Sequence, residues 1–169
     1  HRQALEEIGG TVERATQLAN QMLALAKVEQ LRQQSQPTEV RWDEVLRDVA
    51  LDISPLIAQN DLDFGIQTDS APVLAHEWML RELCRNLLHN AIRHTPEHGA
   101  LNVTLQIEDY DAVLTIADTG PGIDDELATR LFQPFSAGDV RAGSGLGLAI
   151  CQQIVQALGG SIALRNRMD

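Results

Sequence analysis

The chain has 169 residues, 44% of them hydrophobic, so it can bury one real core, and we expect one globular domain plus an appended helix. Its formal net charge of −11 argues against a nucleic-acid-binding surface, because phosphate backbones need clustered Lys and Arg. It contains no run of about eighteen apolar residues and no signal-peptide pattern, so we expect no membrane-spanning segment.

The beginning of the chain predicts one long helix. Between residues 8 and 31 the apolar side chains recur at three- and four-residue spacing, which gives a helix an apolar stripe. The stripe consists of Val12, Ala15, Leu18, Ala19, Met22, Leu25, Ala26 and Val28. A lone helix cannot bury such a stripe, so we expect this helix to need a partner.

A polar stretch, residues 33–37, ends the first helix. It separates a helical segment, residues 1–34, from a globular part, residues 38–169. A second helix follows, which Asp43 is predicted to cap and Pro55 to kink.

The globular part is predicted to contain a sheet. Alternation of apolar and polar residues predicts strands at 61–67 and 101–107, and a turn beginning at Asp109 leads into a third strand at 113–117. Residues 160–165 begin a further strand, and we expect the strand that closes the fold to be missing from this chain. With the helices on one face, the fold class is α+β, a two-layer α/β sandwich with a mixed sheet.

The helix before the second strand carries polar residues that suggest a function. Asn86 and Asn90 lie one turn apart on one face, with Arg93 about a turn further on. Thr95 precedes a proline, so Arg93 and His94 fall in the last turn. Asn is a modest helix former, and the alternative to a functional role is a solvated polar face. An Asn carbonyl oxygen is a suitable ligand for Mg²⁺.

Two glycine-rich turns follow. Asp118 ends a strand and precedes the first turn, where its carboxylate can accept a hydrogen bond from an exocyclic amine such as that of adenine. The second turn leads into an amphipathic helix, residues 146–158, whose free first-turn amides and dipole form an anion site suited to phosphates. Neither turn has a standard phosphate-loop signature, and a lone glycine-rich turn is usually only a turn.

Together these segments resemble the ATP-binding domain of bacterial sensor histidine kinases, which belongs with gyrase-type ATPases, Hsp90 and mismatch-repair ATPases. Four motifs occur in that family's order: the N box at 86–95, the first glycine box at 118–122, the F box at 132–135 and the second glycine box at 143–147. The resemblance implies the Bergerat-type fold, preceded here by one long helix, and it implies ATP and Mg²⁺ as ligands.

The resemblance also implies roles for individual residues. Asn90 corresponds to the Mg²⁺ ligand, Asn86 to a second polar contact to metal or phosphate, and Arg93 to a phosphate-contacting base, and these three form the implied catalytic set. His94 corresponds to a ring beside the nucleotide, and Asp118 to the carboxylate that recognises the adenine amine. The remaining implied nucleotide contacts are Gly120, Gly122, Ile123, Phe135, Arg141, Gly143, Gly145, Leu146, Gly147 and Leu148.

The lid between the F box and the second glycine box departs from the family pattern. The basic residue that many relatives place in the F box is replaced by Gln133 and Pro134. Arg141 can supply that phosphate contact from the lid. The alternative is that Arg141 is a solvated loop residue.

The hydrolysing relatives place Glu where this chain has Asn86. An amide cannot take a proton from water, so the resemblance implies phosphoryl transfer to a protein side chain. In the family the acceptor is a His on the first helix of a dimerisation hairpin. Residues 1–34 resemble the second helix of that hairpin, and no acceptor motif occurs in this chain.

Two alternative functions stay open. One is a hydrolysing ATPase of the gyrase or Hsp90 type, and the other is a non-catalytic nucleotide-binding module whose occupancy orients the long helix. The implied partners of a kinase are the phosphoacceptor helix of the same protein, the receiver domain of a response regulator and a second copy in a homodimer. The implied location is the cytoplasmic portion of an inner-membrane sensor.

The remaining candidate ligands are expected to be structural. Cys84 and Cys151 are predicted to be small buried residues on separate helical faces, without a second Cys nearby. His89 and His94 are five residues apart, which places them on different faces of a helix and argues against a zinc site. His98 is expected in a loop.

Overall fold

The computed structural model describes residues 1–120, 122 and 147–166. Within these residues no helix is both long and apolar enough to cross a membrane. The elements in chain order are α1 (Arg2–Gln34), β1 (Thr38–Arg41), α2 (Trp42–Asp52), α3 (Ser54–Gln59), β2 (Asp63–Thr68), β3 (Pro72–Ala75), α4 (Glu77–His94), β4 (Ala100–Glu108), β5 (Asp111–Asp118) and α5 (Gly147–Ala157).

The central sheet has the strand order β2-β4-β5 and is mixed, as predicted. β2 runs parallel to β4, with Asp63 opposite Ala100, and β4 runs antiparallel to β5, with Leu101 opposite Asp118. The turn between β4 and β5 consists of Asp109 and Tyr110, both with positive φ, of 49° and 78°. A two-residue turn of this kind matches the twist of the paired strands.

The helices cover one face of this sheet, which confirms the two-layer arrangement. Leu101, Val103 and Leu105 on β4 are essentially inaccessible to solvent, whereas Asn102 and Gln106, which point to the other face, are exposed. The buried residues form one cluster with apolar side chains from α2, α4 and α5. The core therefore lies between β4 and these helices.

A second, two-stranded sheet was not predicted. β1 pairs antiparallel with β3, with Thr38 opposite Ala75 and Arg41 opposite Pro72. Each strand has four residues, too few for an alternating pattern to be recognised in the sequence.

The prediction for the second helix is wrong in two respects. Two helices, α2 and α3, replace the single kinked one, and Pro55 lies in the first turn of α3, where proline is well accommodated. Asp43 is not the N-cap, because α2 begins at Trp42. Instead, the Asp43 carboxylate accepts the Ala71 N–H at 3.0 Å and pairs with Arg41 Nη2 at 2.9 Å.

α1 is longer than predicted, and only its C-terminal part packs on the domain. Val28 is 3% exposed, and Lys27 Nζ lies 4.6 Å from the centre of the Trp78 ring on α4. Ala24, Leu25 and Leu31 also pack against the core. The rest of the helix leaves large apolar side chains exposed, namely Leu5, Ile8, Val12, Met22 and Leu23.

Residues 160–166 form neither helix nor strand, so the strand predicted at 160–165 is wrong. The apolar pattern of this segment suggested a strand, but a strand also needs a hydrogen-bonded neighbour, and no ladder among the described residues includes it. The N–H of Gly160 instead bonds to the Val155 carbonyl at 2.9 Å and ends α5.

The two cysteines are free and buried, as predicted. Burial raises the pKa of Cys84 to about 11. Burial also raises the pKa of Cys151, and the nearby Cys84 adds to this effect, so the expectation that neither thiol has a second Cys nearby is wrong. The cysteines approach each other because α4 packs against α5.

Candidate nucleotide-binding site

The predicted site residues that the structure describes meet where α4, β5 and α5 come together. Asn86, Asn90, Arg93 and His94 lie on the C-terminal half of α4, and Asp118 is the last residue of β5. α4 contacts both β5 and α5. Six predicted residues lie outside the described part of the chain, namely Ile123, Phe135, Arg141, Gly143, Gly145 and Leu146.

Asn86 joins α4 to the beginning of α5. Its Nδ2 donates to the backbone carbonyl of Glu82 at 2.8 Å and to Glu82 Oε2 at 3.3 Å. Its Oδ1 lies on the other side, where a Cβ built on Gly147 would be only 3.3 Å away. Asn86 therefore faces the N-terminal end of the described part of α5.

Asn90 is half-buried, and among the described residues it has no hydrogen-bond partner. The opposite side of the same turn faces the core through Leu88 and Ala91, which are buried. Because this amide is partly exposed, water or a ligand can satisfy its hydrogen bonds. This placement suits a ligand contact better than an internal structural role.

The end of α4 is positively charged. Arg93 and His94 are both exposed in its last turn, and Thr95 Oγ1 closes the turn by donating to the Ala91 carbonyl at 2.7 Å. The pKa of His89 is lowered by burial and by the charges of Arg93 and Arg85, so this imidazole is neutral at pH 7. Arg85 is paired with Glu82 at 2.7 Å, so Arg93 is the guanidinium group in the last turn of α4 that can contact an anionic ligand.

Asp118 is held in place by its own loop. The Gly120 N–H donates to Asp118 Oδ1 at 2.8 Å. Thr119 is bound to the start of β4 twice, because its N–H donates to the Ala100 carbonyl at 3.1 Å and its Oγ1 accepts the Ala100 N–H at 3.0 Å. The other carboxylate oxygen of Asp118 has no hydrogen-bond partner among the described residues, so it can accept one from a ligand.

Glycine is required where this loop crosses the end of α4. A Cβ on Gly120 would collide with the backbone carbonyl oxygen of His94. A Cβ on Gly99 would lie 2.7 Å from Thr95 Cγ2 and 2.8 Å from Thr119 Oγ1. Gly99 and Thr119 were missed by the sequence analysis, because their contacts join segments far apart in the chain.

The other described glycine-box residues have different surroundings. Gly122 is exposed, and a Cβ there would lie 2.9 Å from Asn166 Oδ1. Leu148 is 7% exposed and packs into the core, so only its backbone can face a ligand. Glu82 also belongs to the site through Asn86, although its position on α4 alone gave no signal.

Among the described residues, one group of side chains has the spacing of a metal site, and it lies outside this region. Asp61, Glu97 and His98 place one ligand atom each within 4.8 Å of one another. All three are exposed, and His98 lies in the loop between α4 and β4, as expected. His98 Nδ1 is 3.6 Å from Asp61 Oδ2, and exposed acidic groups are often found together without a metal ion.

Known proteins with similar sequences and structures are sensor kinases. Sensor protein QseC of Salmonella typhi is 31% identical over 170 residues, which cover 98% of this chain and 37% of QseC. The catalytic domain of histidine kinase ThkA has a TM-score of 0.73 and 31% identity, over 78% of this chain and 88% of that one. Full-length ShkA in complex with AMPPNP has a TM-score of 0.80 and 27% identity, over 99% of this chain and 36% of that one.

The part of the chain that holds the site matches one known protein family. Residues 75–169 match the family described as "Histidine kinase-, DNA gyrase B-, and HSP90-like ATPase". The matched residues make up more than half of the chain and include α4, the Asp118 loop and α5. The chain is therefore a member of this family of ATPases.

Proposed function

We propose that this chain is the ATP-binding catalytic part of a sensor histidine kinase. It transfers the γ-phosphate of Mg²⁺-ATP to a His side chain that lies outside these residues, for relay to an Asp of a response regulator. The observation that carries the proposal is the amide of Asn90, which lies one turn after Asn86 on α4, is half-buried and has no hydrogen-bond partner among the described residues.

Different residues of the described part of the chain can bind the adenine and the phosphates of the nucleotide. The Asp118 carboxylate, held by the Gly120 N–H, accepts the adenine amine with its second oxygen. The first-turn amides of α5 and the guanidinium group of Arg93 receive the phosphates. Because this part of the site is built on α4 and on the Thr119 loop, which is bound to β4, its geometry is fixed before the nucleotide arrives.

The side chains also fit a magnesium ion. Asn86 and Asn90 lie one turn apart on α4, and each can offer a carbonyl oxygen, the type of ligand that Mg²⁺ prefers together with water and phosphate oxygens. A bound Mg²⁺ would neutralise charge on the phosphates during transfer. Asn86 and Asn90 would hold it, and Arg93 would add a second positive charge.

The partners and the location follow from the relatives. ThkA is known in complex with the response regulator protein TrrA, and the cytoplasmic segment of QseC has been solved. By analogy, we infer a response regulator as partner and a cytoplasmic location. The exposed apolar side chains of α1 suit the hairpin of a homodimer, with residues 1–34 as one of its helices and residues 38–169 as the catalytic domain.

The two alternatives are less well supported. A hydrolysing ATPase needs a general base at the position of Asn86. The carboxylate of Glu82, one turn earlier, cannot easily take this role, because it already accepts hydrogen bonds from Asn86 and from Arg85 Nη1 at 2.7 Å. A purely regulatory nucleotide-binding module needs no metal ligand. The pair Asn86 and Asn90 therefore favours catalysis.

Substitution of Asn90 tests the proposal. In Asn90→Ala we expect unchanged or slightly higher thermal stability without nucleotide, because Ala is the better helix former and no described hydrogen bond is lost. The stabilisation by ATP should lose most of its Mg²⁺ dependence, and transfer of labelled phosphate to a separately supplied phosphoacceptor hairpin should fall at least about 100-fold.

The control is Asn102→Ala, which removes an exposed Asn from β4. It should change neither the Mg²⁺ dependence nor the transfer. Melting temperatures are measured in buffer, with ATP plus chelator, and with ATP plus Mg²⁺. An Asn90→Ala protein equally destabilised in all three, with its Mg²⁺-dependent shift intact, would make Asn90 a structural residue.

A further inference from the structure

Glu82 is the residue that determines which end of the Asn86 amide faces the candidate site. It lies on α4 one turn before Asn86, and its side chain is only 17% exposed. The carboxylate binds Arg85 Nη1 at 2.7 Å and Asn86 Nδ2 at 3.3 Å. Arg85 therefore holds the carboxylate of Glu82 in position beside Asn86.

The chemistry of these contacts fixes the orientation of the amide. The two groups at one end of it are the backbone carbonyl and the carboxylate of Glu82, and both can only accept hydrogen bonds. That end must therefore be the NH₂ group, and each of its two hydrogens has an acceptor. Rotating the amide by 180° would place an oxygen against two acceptors and lose both bonds.

The consequence is that Asn86 presents an oxygen to the start of α5. Phosphate oxygens at neutral pH are acceptors and cannot bind a carbonyl oxygen directly. The exposed end of Asn86 can bind a cation or a water molecule. This orientation decides between the metal and phosphate contacts that the sequence left open for Asn86.

We propose that Glu82 is a positioning residue, which holds the oxygen of Asn86 toward the metal and away from phosphate contact. The inference rests on the proposed function, because it assigns a metal to Asn86. Glu82 itself does not touch the nucleotide.

The orientation is tested first without any ligand. The side-chain NH₂ signals of Asn86 are identified in a ¹⁵N-labelled sample by their absence from Asn86→Ala. In Glu82→Ala we expect these two proton signals to shift and to move closer together, because one hydrogen loses its acceptor. Glu82→Gln, which keeps a side-chain acceptor, should preserve most of their separation. The control Glu77→Ala, which removes an ion pair with Arg81 on the same helix, should leave the signals unchanged.

The function of that orientation is tested by binding of AMPPNP with Mg²⁺ and with chelator. We expect Glu82→Ala to weaken binding about three- to tenfold with Mg²⁺ and less than about twofold without it, as for the loss of one hydrogen bond. Glu82→Gln should bind within about twofold of wild type. In the Asn86→Ala background, Glu82→Ala should cause no further loss, because it acts through Asn86.

Each outcome decides a different claim. Unchanged Asn86 signals in Glu82→Ala would overturn the positioning role whether or not nucleotide binds. An equal loss of affinity with and without Asn86 would show that Glu82 acts by another route, and equal losses with Mg²⁺ and with chelator would overturn the link to the metal. Wild-type binding that does not depend on Mg²⁺ would instead remove the metal from the proposed function, and the NMR result would still decide the orientation.

Discussion

One carboxylate oxygen of Asp118 accepts the Gly120 N–H at 2.8 Å, and the other accepts no hydrogen bond from the described residues. In Asp118→Asn the amide oxygen can keep the bond to Gly120, but the NH₂ group then faces the adenine amine and two donors meet. We expect ATP affinity to fall by about 1–3 kcal/mol, and discrimination against GTP to weaken.

Calorimetric titration with ATP and GTP measures both effects. The matched control is Asp111→Asn, an exposed residue at the other end of the same strand. Unchanged ATP affinity in a folded Asp118→Asn protein would refute the assignment of Asp118 to adenine.

Gly120 lies at a position where no side chain would fit. A Cβ there would collide with the His94 carbonyl oxygen and lie 2.9 Å from Asp118 Oδ1. Gly120→Ala should therefore lower the free energy of unfolding by about 1–3 kcal/mol, as for an overpacked site. It should also weaken ATP binding, because the loop that holds Asp118 must shift.

Gly9→Ala is the control, since nothing lies within 4 Å of a Cβ built at Gly9 on α1. That substitution should leave stability unchanged or raise it by up to about 1 kcal/mol. Urea unfolding followed by circular dichroism compares the two variants. Equal stabilities for Gly120→Ala and wild type would show that the loop adapts at no cost.

The sequence was sufficient to predict the positions of the site residues, but not how their atoms are directed. Helical periodicity correctly placed Asn86 and Asn90 one turn apart, and the proline after Thr95 correctly predicted the end of α4. The orientation of the Asn86 amide depends on the carboxylate of Glu82, which a spacing rule does not reveal. Gly99 precedes β4 and Thr119 follows β5. They meet because these two strands pair antiparallel, which local sequence does not show.

At the scale of elements, Asp43 connects α2 to the segment before β3. The Arg41 guanidinium lowers the pKa of Asp43 below its ordinary value of 3.8, and the Ala71 N–H adds to this effect. Because the folded-state pKa is below the unfolded-state value, the pair stabilises the fold fully above pH 3.8 and loses this contribution as pH falls through the folded-state pKa.

We expect Asp43→Asn to lower the free energy of unfolding by about 1–2 kcal/mol at pH 7, since the partner Arg41 is partly solvated. The difference in the free energy of unfolding between wild type and Asp43→Asn should stay constant above about pH 5. It should disappear below the ordinary pKa of a carboxylate. Urea unfolding from pH 7 to pH 2.5 measures this difference, with Asp52→Asn, an exposed residue at the end of α2, as control. A difference that does not shrink in acid would contradict this role of the carboxylate.

Elements were predicted well where they are long or strictly periodic. α4 has 18 residues, β4 has nine and β5 has eight, and the predicted positions of these elements agree with the structure to within a few residues. β1 and β3 stabilise each other by pairing residues far apart in the chain, such as Thr38 and Ala75, which are separated by 36 residues. Local sequence does not encode such pairing. The segment 160–166 shows the reverse case, in which an apolar pattern lacks the pairing that a strand requires.

For the molecule as a whole, the proposed chemistry requires an acceptor from elsewhere. The chain has five His residues, and none begins a His-Glu-Leu-Arg-Thr-Pro type motif. We expect this chain to bind ATP without forming phosphohistidine on itself. Incubation with γ-labelled ATP followed by a test for acid-labile label measures this, and addition of a phosphoacceptor hairpin is the positive control. Acid-labile label on the chain alone would contradict the prediction.

The contact between Lys27 and Trp78 gives the molecule a natural optical signal. The chain has two Trp residues, and the indole N–H of the other, Trp42, donates to Cys84 Sγ at 3.3 Å. A thiol in contact with an indole quenches its fluorescence, so most of the emission should come from Trp78, beneath α1. If α1 leaves the domain, Trp78 enters water and its emission shifts to longer wavelength, while the Trp42 environment stays the same. The intrinsic fluorescence of the unlabelled protein therefore reports whether its long helix is docked.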